Sequence, residues 1–192
     1  MTASQDANLP LGLGAAHIGI LDRQTGESID PATLSPFQRI LLTTDGTVTE
    51  ILEAQFWEAI AVVKLNHQQQ KTETGIESLD ITAGTEIVKR QVLLVGAKSN
   101  TVYIFAESIL IPERLDPEIQ NALATTRKPI GQLINDKRME SFREILVCSR
   151  EPAETLAQHF GIKENDALIS RSYRVFANRQ AIMLITEKFP QR

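Results

Sequence analysis

An α+β fold with a six-stranded, mainly antiparallel sheet flanked by helices is predicted by three features of the sequence. Six segments show the two-residue alternation of strands, at 60–65, 87–95, 101–111, 142–148, 167–176 and 181–188. Two pairs of them are joined by turns short enough for hairpins, Gly96-Ala97-Lys98-Ser99-Asn100 and Ala177-Asn178-Arg179-Gln180. Capped segments of helical period are inserted between the strands.

In chain order, residues 1–33 hold small and polar residues and two turn signals, Asn8-Leu9-Pro10 and Gly12-Leu13-Gly14. They are expected to form an irregular extension, with residues 34–192 as one domain. Ser35-Pro36 reads as an N-cap followed by proline at the first helical position, opening a short helix through Leu42. Thr44-Asp45-Gly46 breaks it. Thr47 restarts a second helix bearing Val48, Ile51, Leu52, Phe56 and Trp57 at helical spacing. After the first strand, Gln68-Gln69-Gln70 to Gly75 reads as a polar connection. Pro112 ends the third strand, Asp116-Pro117 caps a helix to about Thr126, and Pro129-Ile130-Gly131 starts another. The fourth strand is followed by a helix expected over 152–160.

Composition narrows the function classes. The chain has 192 residues, 42% of them hydrophobic and 23% charged, which supports a packed core. Its formal charge of −4 disfavours a nucleic-acid or anionic-membrane partner. The single cysteine, Cys148, excludes an internal disulfide and a cysteine zinc site. No apolar run is long enough for stable membrane insertion, and the N-terminus lacks the pattern of a secretory signal. A cytoplasmic monomer is the default.

Charged residues that fall within apolar strand rows are the informative feature. Arg90 shares a row with Val88, Val92 and Leu94, and Glu187 with Met183, Ile185 and Phe189. Glu107 lies with Phe105 and Ile109, and Arg171 with Ile169, Tyr173 and Val175. A charge buried without a partner costs several kcal/mol, so such residues are paired or face a cavity that takes a polar ligand. Arginine on an apolar sheet face can grip a carboxylate with two parallel hydrogen bonds, and a glutamate beside it can serve as acid or base. Buried Arg–Glu pairs also occur without any catalytic role, so the pattern marks a possible site and not an activity. Other motifs are weak. His17, His67 and His159 have no metal-ligand spacing, Cys148 reads as a core residue, and Lys137, Arg138 and Arg143 read as a solvated face that could attract an anion.

Four motifs, in order, carry a family resemblance: Leu41-Leu42-Thr43-Thr44-Asp45-Gly46-Thr47-Val48-Thr49, then Arg90 on its strand, then Lys128-Pro129-Ile130-Gly131, then Leu184-Ile185-Thr186-Glu187-Lys188-Phe189-Pro190. Together they resemble chorismate pyruvate-lyase, most closely the branch found in oxygenic photosynthetic bacteria, over roughly residues 34–190. The resemblance implies a six-stranded antiparallel sheet with an internal ligand cavity under helical flaps. It implies conversion of chorismate to 4-hydroxybenzoate and pyruvate, without metal or cofactor, at the entry to quinone synthesis of the plastoquinone type. By the same likeness Arg90 grips the ring carboxylate and Glu187 meets the ring 4-hydroxyl. The amides of Ile130, in the turn with Gly131, and of Val48 or Thr47 complete the carboxylate pocket. The enterobacterial pattern has a second arginine on the third strand; the matching position here is about Ser108. Arg171, Arg174 and Lys64 are the candidates for the enolpyruvyl carboxylate. The rival reading is a non-catalytic domain of the same fold that senses small aromatic acids, as in some transcription regulators.

Overall fold

A computed structural model describes residues 19–126 and 128–191. The sheet has eight strands: β1 Ile20–Asp22, β2 Ser28–Ile29, β3 Ile60–Lys71, β4 Glu86–Gly96, β5 Val102–Leu110, β6 Phe142–Pro152, β7 Ala167–Ala177 and β8 Gln180–Pro190. Their order is β2-β1-β6-β7-β8-β5-β4-β3. Every pairing is antiparallel except β1 with β6. The helices are α1 Pro36–Thr43, α2 Val48–Phe56, α3 Pro117–Thr125, α4 Ile130–Asp136 and α5 Ala157–Phe160.

All six expected strands are present, and the two additional ones come from the N-terminal segment. At three and two residues, β1 and β2 are too short to show a period. Polar contacts hold them: buried Asp22 accepts from the Gln24 and Thr25 amides and from Arg150 Nε on β6, the last at 2.8 Å. Ile20 joins Leu34 and Cys148 in a hydrophobic cluster, so residues 20–22 are part of the sheet. Residues 1–18, with both turn signals and His17, lie outside the described residues.

Two further differences concern strand ends. Gln68–Gln70 are not a connection but part of the second half of β3, paired in turn with Lys89, Val88 and Ile87 of β4. β3 is an edge strand whose outer residues are exposed, so it tolerates polar side chains that an interior strand would not. The segment expected as helix over 152–160 begins as strand at Pro152 and passes through a 3-10 turn, leaving only 157–160 as α5.

Local chemistry explains the elements that matter for the site. Ser35 and Gln38 form a reciprocal capping box with Pro36 at the first helical position, which sets the start of α1. The β7–β8 hairpin closes through Asn178 and Arg179, both at positive φ, the geometry of a two-residue type I′ turn. At the β4–β5 turn the Glu58 carboxylate accepts from the Lys98 and Ser99 amides, the Ser99 hydroxyl and Tyr103 OH. Gly96 is required beside it, because a Cβ there would run into the Glu58 carboxylate and the Ser99 hydroxyl.

The core on the helix-covered face is divided. α1 and α2 pack Leu41, Leu42, Val48 and Leu52 against Val62, Val92, Leu94 and Ile104. α3 and α4 pack Ile119, Leu123, Leu133 and Ile134 against Tyr173, Val175 and Ile185. Ile145 borders both clusters, and between them the sheet is left partly uncovered. α5 covers Leu93, Phe105 and Leu168.

The Glu58 knot gives a prediction. Hydrogen bonds from the Ser99 amide and hydroxyl, then Tyr103 and the Lys98 amide, hold its carboxyl at about 2 against an ordinary 4.5. A depressed carboxyl stabilises the fold above its unfolded pKa, and that contribution is lost as pH falls through the folded value. Glu58→Gln is therefore expected to lower the melting temperature at neutral pH and to flatten its decline from pH 4.5 to 2, followed by thermal unfolding across that range.

Candidate active site

Strand register builds the site. On the helix-covered face one cross-strand row runs Arg90 on β4, Ser108 on β5, Ile185 on β8 and Tyr173 on β7. The neighbouring row runs Val92, Ala106, Glu187 and Arg171 in the same strand order. Between the large residues of β4 and β8 the sheet therefore presents only Ala106 and Ser108. These small side chains form the floor of a hollow that lies at the seam between the two hydrophobic clusters.

The hollow is a cavity of about 60 Å³ lined by Arg90, Glu187, Tyr173 and Arg143 among apolar neighbours, including Val62, Val92, Ile134 and Ile185. Its roof is the turn before α2, Gly46-Thr47-Val48-Thr49, and the start of α4, Pro129-Ile130-Gly131. The two roof pieces touch. Gly131 lies so near Thr47 that a Cβ on it would come within 2.7 Å of the threonine methyl, and Asn135 Nδ2 donates to Thr47 Oγ1 at 3.3 Å. Val48 and Ile130 each open a helix, where first-turn N–H groups have no partner within the helix and can serve an anion.

The two arginines of these rows are in opposite states. Arg171, 1% exposed, donates from Nε to Glu187 Oε2 at 2.8 Å and from Nη1 to the Thr44 carbonyl at 2.7 Å. Its guanidinium lies 4.8 Å from the centre of the Tyr173 ring, and Tyr173 OH donates to the other Glu187 oxygen at 3.1 Å. Burial is the strongest influence on the Arg171 charge and works against it, but the Glu187 carboxylate and the Tyr173 side chain together outweigh it and raise the pKa. Burial, then the Glu187 charge, raises the Tyr173 pKa, so the phenol stays a donor. Glu187 is thus fixed at both oxygens, with its charge balanced.

Arg90 is 4% exposed, and its Nε and Nη2 are buried with no hydrogen-bond partner among the described residues. Desolvation alone pushes its pKa down to about 10. An unpaired guanidinium in an apolar hollow is a carboxylate receptor by its chemistry.

Of the residues expected from the sequence, Arg90, Glu187, Ile130, Val48 and Gly131 come together in this cavity. Arg171 lies behind Glu187. Arg174 is bound to Glu144 at 2.6 Å and to the Ser78 carbonyl, and Lys64 Nζ donates to the Leu123 and Ala124 carbonyls. Neither lines the cavity. Arg143, read as solvated from the sequence, does line it; its alternation with Ile145 on one strand face was the available signal. Tyr173, seen only as a row neighbour of Arg171, proves to be the second holder of Glu187. Cys148 is buried with Sγ 3.9 Å from the Leu42 carbonyl, and burial pushes its thiol up to about 11. A larger groove of about 800 Å³ runs past Phe37, Phe56 and Tyr103, but no charged side chain among the described residues lines it. Among the described residues no His, Cys, Asp and Glu cluster is arranged to hold a metal, and no helix is long and apolar enough to cross a membrane.

Residues 42–192 match the family model described as Chorismate pyruvate-lyase Rv2949c-like. A chorismate pyruvate-lyase of Mycobacterium leprae is 30% identical over 152 residues, covering 79% of this chain and 72% of that protein. One of Mycobacterium tuberculosis is 28% identical over 155 residues, covering 79% and 78%. Among solved structures, PhnF from Mycobacterium smegmatis is similar with a TM-score of 0.60 at 11% identity, over 77% of this chain and 65% of that one. The C-terminal domain of the histidine utilization repressor from Pseudomonas syringae gives 0.52 at 12% identity, over 68% and 91%. At such identities the structural likeness concerns the fold, which is the expected α+β class.

Two outcomes follow from the geometry. Replacing Arg90 by methionine removes a buried unpaired charge while filling similar volume, so Arg90→Met is expected to stabilise the ligand-free protein by about 1–2 kcal/mol in urea unfolding. Gly131→Ala drives a methyl into Thr47 and is expected to destabilise by about 1–3 kcal/mol. Thr47→Ser deletes the opposing methyl and should recover most of that loss in the double variant, a coupling that a double-mutant cycle measures.

Proposed function

We propose that this chain, which belongs to the Rv2949c-like chorismate pyruvate-lyase family, converts chorismate to 4-hydroxybenzoate and pyruvate in the cavity between its two helical covers. The observation that carries the reading is Arg90, buried without a partner in the same hollow as a rigidly held Glu187. Arg90, with the Val48 and Ile130 amides, takes the ring carboxylate. Glu187 takes the ring 4-hydroxyl at the other end. These two anchors stand on β4 and β8, two strand spacings or about 10 Å apart, a span suited to the two ends of one six-membered ring.

The reaction asks little more of the protein. The C3–O bond breaks, the enolpyruvyl group leaves with that electron pair, the C4 proton is lost, and the ring becomes aromatic. The departing enolate takes up one proton at carbon to give pyruvate, so atoms and charge balance. Aromaticity supplies much of the driving force, and the protein holds the reactive conformer. Glu187, gripped by Arg171 and Tyr173, keeps one direction throughout and is the group within reach to take the C4 proton. No resident cofactor takes part. The catalytic unit is the single sheet with its helices, including β1 and β2, and the product goes to quinone head-group synthesis of the plastoquinone type in the cytoplasm.

Purified protein mixed with chorismate is expected to yield 4-hydroxybenzoate and pyruvate in equal amounts by chromatography. Arg90→Ala should lower kcat/KM on the order of a hundredfold or more through lost carboxylate binding, and Glu187→Gln should act mainly on kcat. Absence of turnover, with 4-hydroxybenzoate still raising the melting temperature, would replace the lyase by an acid-sensing domain of the same fold.

A further inference from the structure

The charge balance of the cavity is incomplete in a specific way. Among the described residues three charged side chains line it: Arg90, Arg143 and Glu187. Glu187 is neutralised from behind by Arg171. Arg90 Nε and Nη2 have no partner among the described residues. Arg143 stands on β6 opposite Val175, which also lines the cavity, and it donates from Nη1 to the Asp45 carbonyl in the roof turn at 2.6 Å. That bond uses one of its five donors, and no carboxylate among the described residues pairs with it. Two positive charges therefore remain, carried by β4 and β6 on opposite sides of the hollow. Four strand spacings, about 19 Å, separate those strands, and two arginine side chains reaching inward close most of that distance.

We infer that Arg143 holds the second carboxylate of a dianionic ligand, the one that departs with the enolpyruvyl group, while Arg90 holds the ring carboxylate. The preference for a dianion comes from the two unbalanced arginines; the identity of its carboxylates rests on the lyase reading. Arg143 thereby separates substrate from product. The substrate engages both arginines, and the aromatic product, left with one carboxylate, engages only Arg90. The Asp45 contact ties the same guanidinium to the roof, so the residue that senses the leaving group also touches the element that covers it.

Binding to the full-length chain, measured by titration calorimetry with two unreactive ligands, tests this. The ligands are 3-(carboxymethoxy)benzoate, an ether-linked dicarboxylate, and 4-hydroxybenzoate. Arg143→Gln is expected to weaken the dicarboxylate on the order of tenfold or more and to leave 4-hydroxybenzoate within about twofold, with Arg143→Lys recovering part of the loss. Equal weakening of both ligands would make Arg143 a roof latch only, and unchanged dicarboxylate binding, or none by the unaltered protein, would overturn the assignment. Wild-type discrimination without chorismate turnover would sink the lyase reading and leave the dianion preference of Arg90 and Arg143 standing. Turnover with a KM indifferent to Arg143→Gln would do the reverse.

Discussion

A guanidinium enclosed in an apolar hollow without a counter-charge is the constraint around which this fold is organised. Arg90 is buried, and no carboxylate among the described residues pairs with it. Arg171, buried to the same degree, shows what a sheet of this kind does with an arginine meant for structure. It is given Glu187, the face of Tyr173 and the Thr44 carbonyl. The contrast between the two, one row apart on the same face, separates a residue that completes the protein from one that a ligand must complete. The surrounding fold has to be stable enough to hold that unpaired charge in place, and the two packed clusters on either side are its source of stability.

The hollow itself comes from small residues and not from a gap in the chain. Ala106 and Ser108 occupy the inward positions of β5, the strand between the two anchors, and larger side chains there would fill the space a ring needs. The roof is equally dependent on size. Gly131 admits the Thr47 methyl where any other residue would hold the two helical covers apart. Floor and roof are thus set by three residues whose contribution is what they lack.

Much of this was legible in the sequence because two-residue alternation is a strong signal in long strands. It placed Arg90, Glu187 and Arg171 in apolar rows on the correct strands, and the capping residues at Ser35 and Asp116 marked helix starts that the structure keeps. What escaped did so for physical reasons. β1 is held by the Asp22–Arg150 contact across 128 positions, which leaves no local trace. The register shift between Ile145 and Val147 cuts short the row to which Arg143 belongs, so Ile145 alone marks its inward direction. Arg174 and Lys64 resembled the other strand cations, yet Glu144 and the C-terminal carbonyls of α3 had already claimed them. Sequence pattern gives the face on which a charge lies; only the fold gives what it meets there.

The division of the core has a dynamic consequence. α1 and α2 share one apolar cluster with the sheet, and α3 and α4 share another, with the ligand space at the boundary. Units packed in this way open as units, each keeping its own contacts while the boundary between them breathes. Passage into the cavity then requires that the Gly131–Thr47 touch, the Asn135 hydrogen bonds to Thr47 and Glu50 and the Arg143–Asp45 bond give way, at the rim and not in either interior. In hydrogen exchange such a molecule would expose its roof amides through small, frequent excursions, while those of the central strands wait for unfolding of the whole. Access and stability are set by different parts of the protein, and a ligand can come and go without loosening the sheet that holds its binding groups.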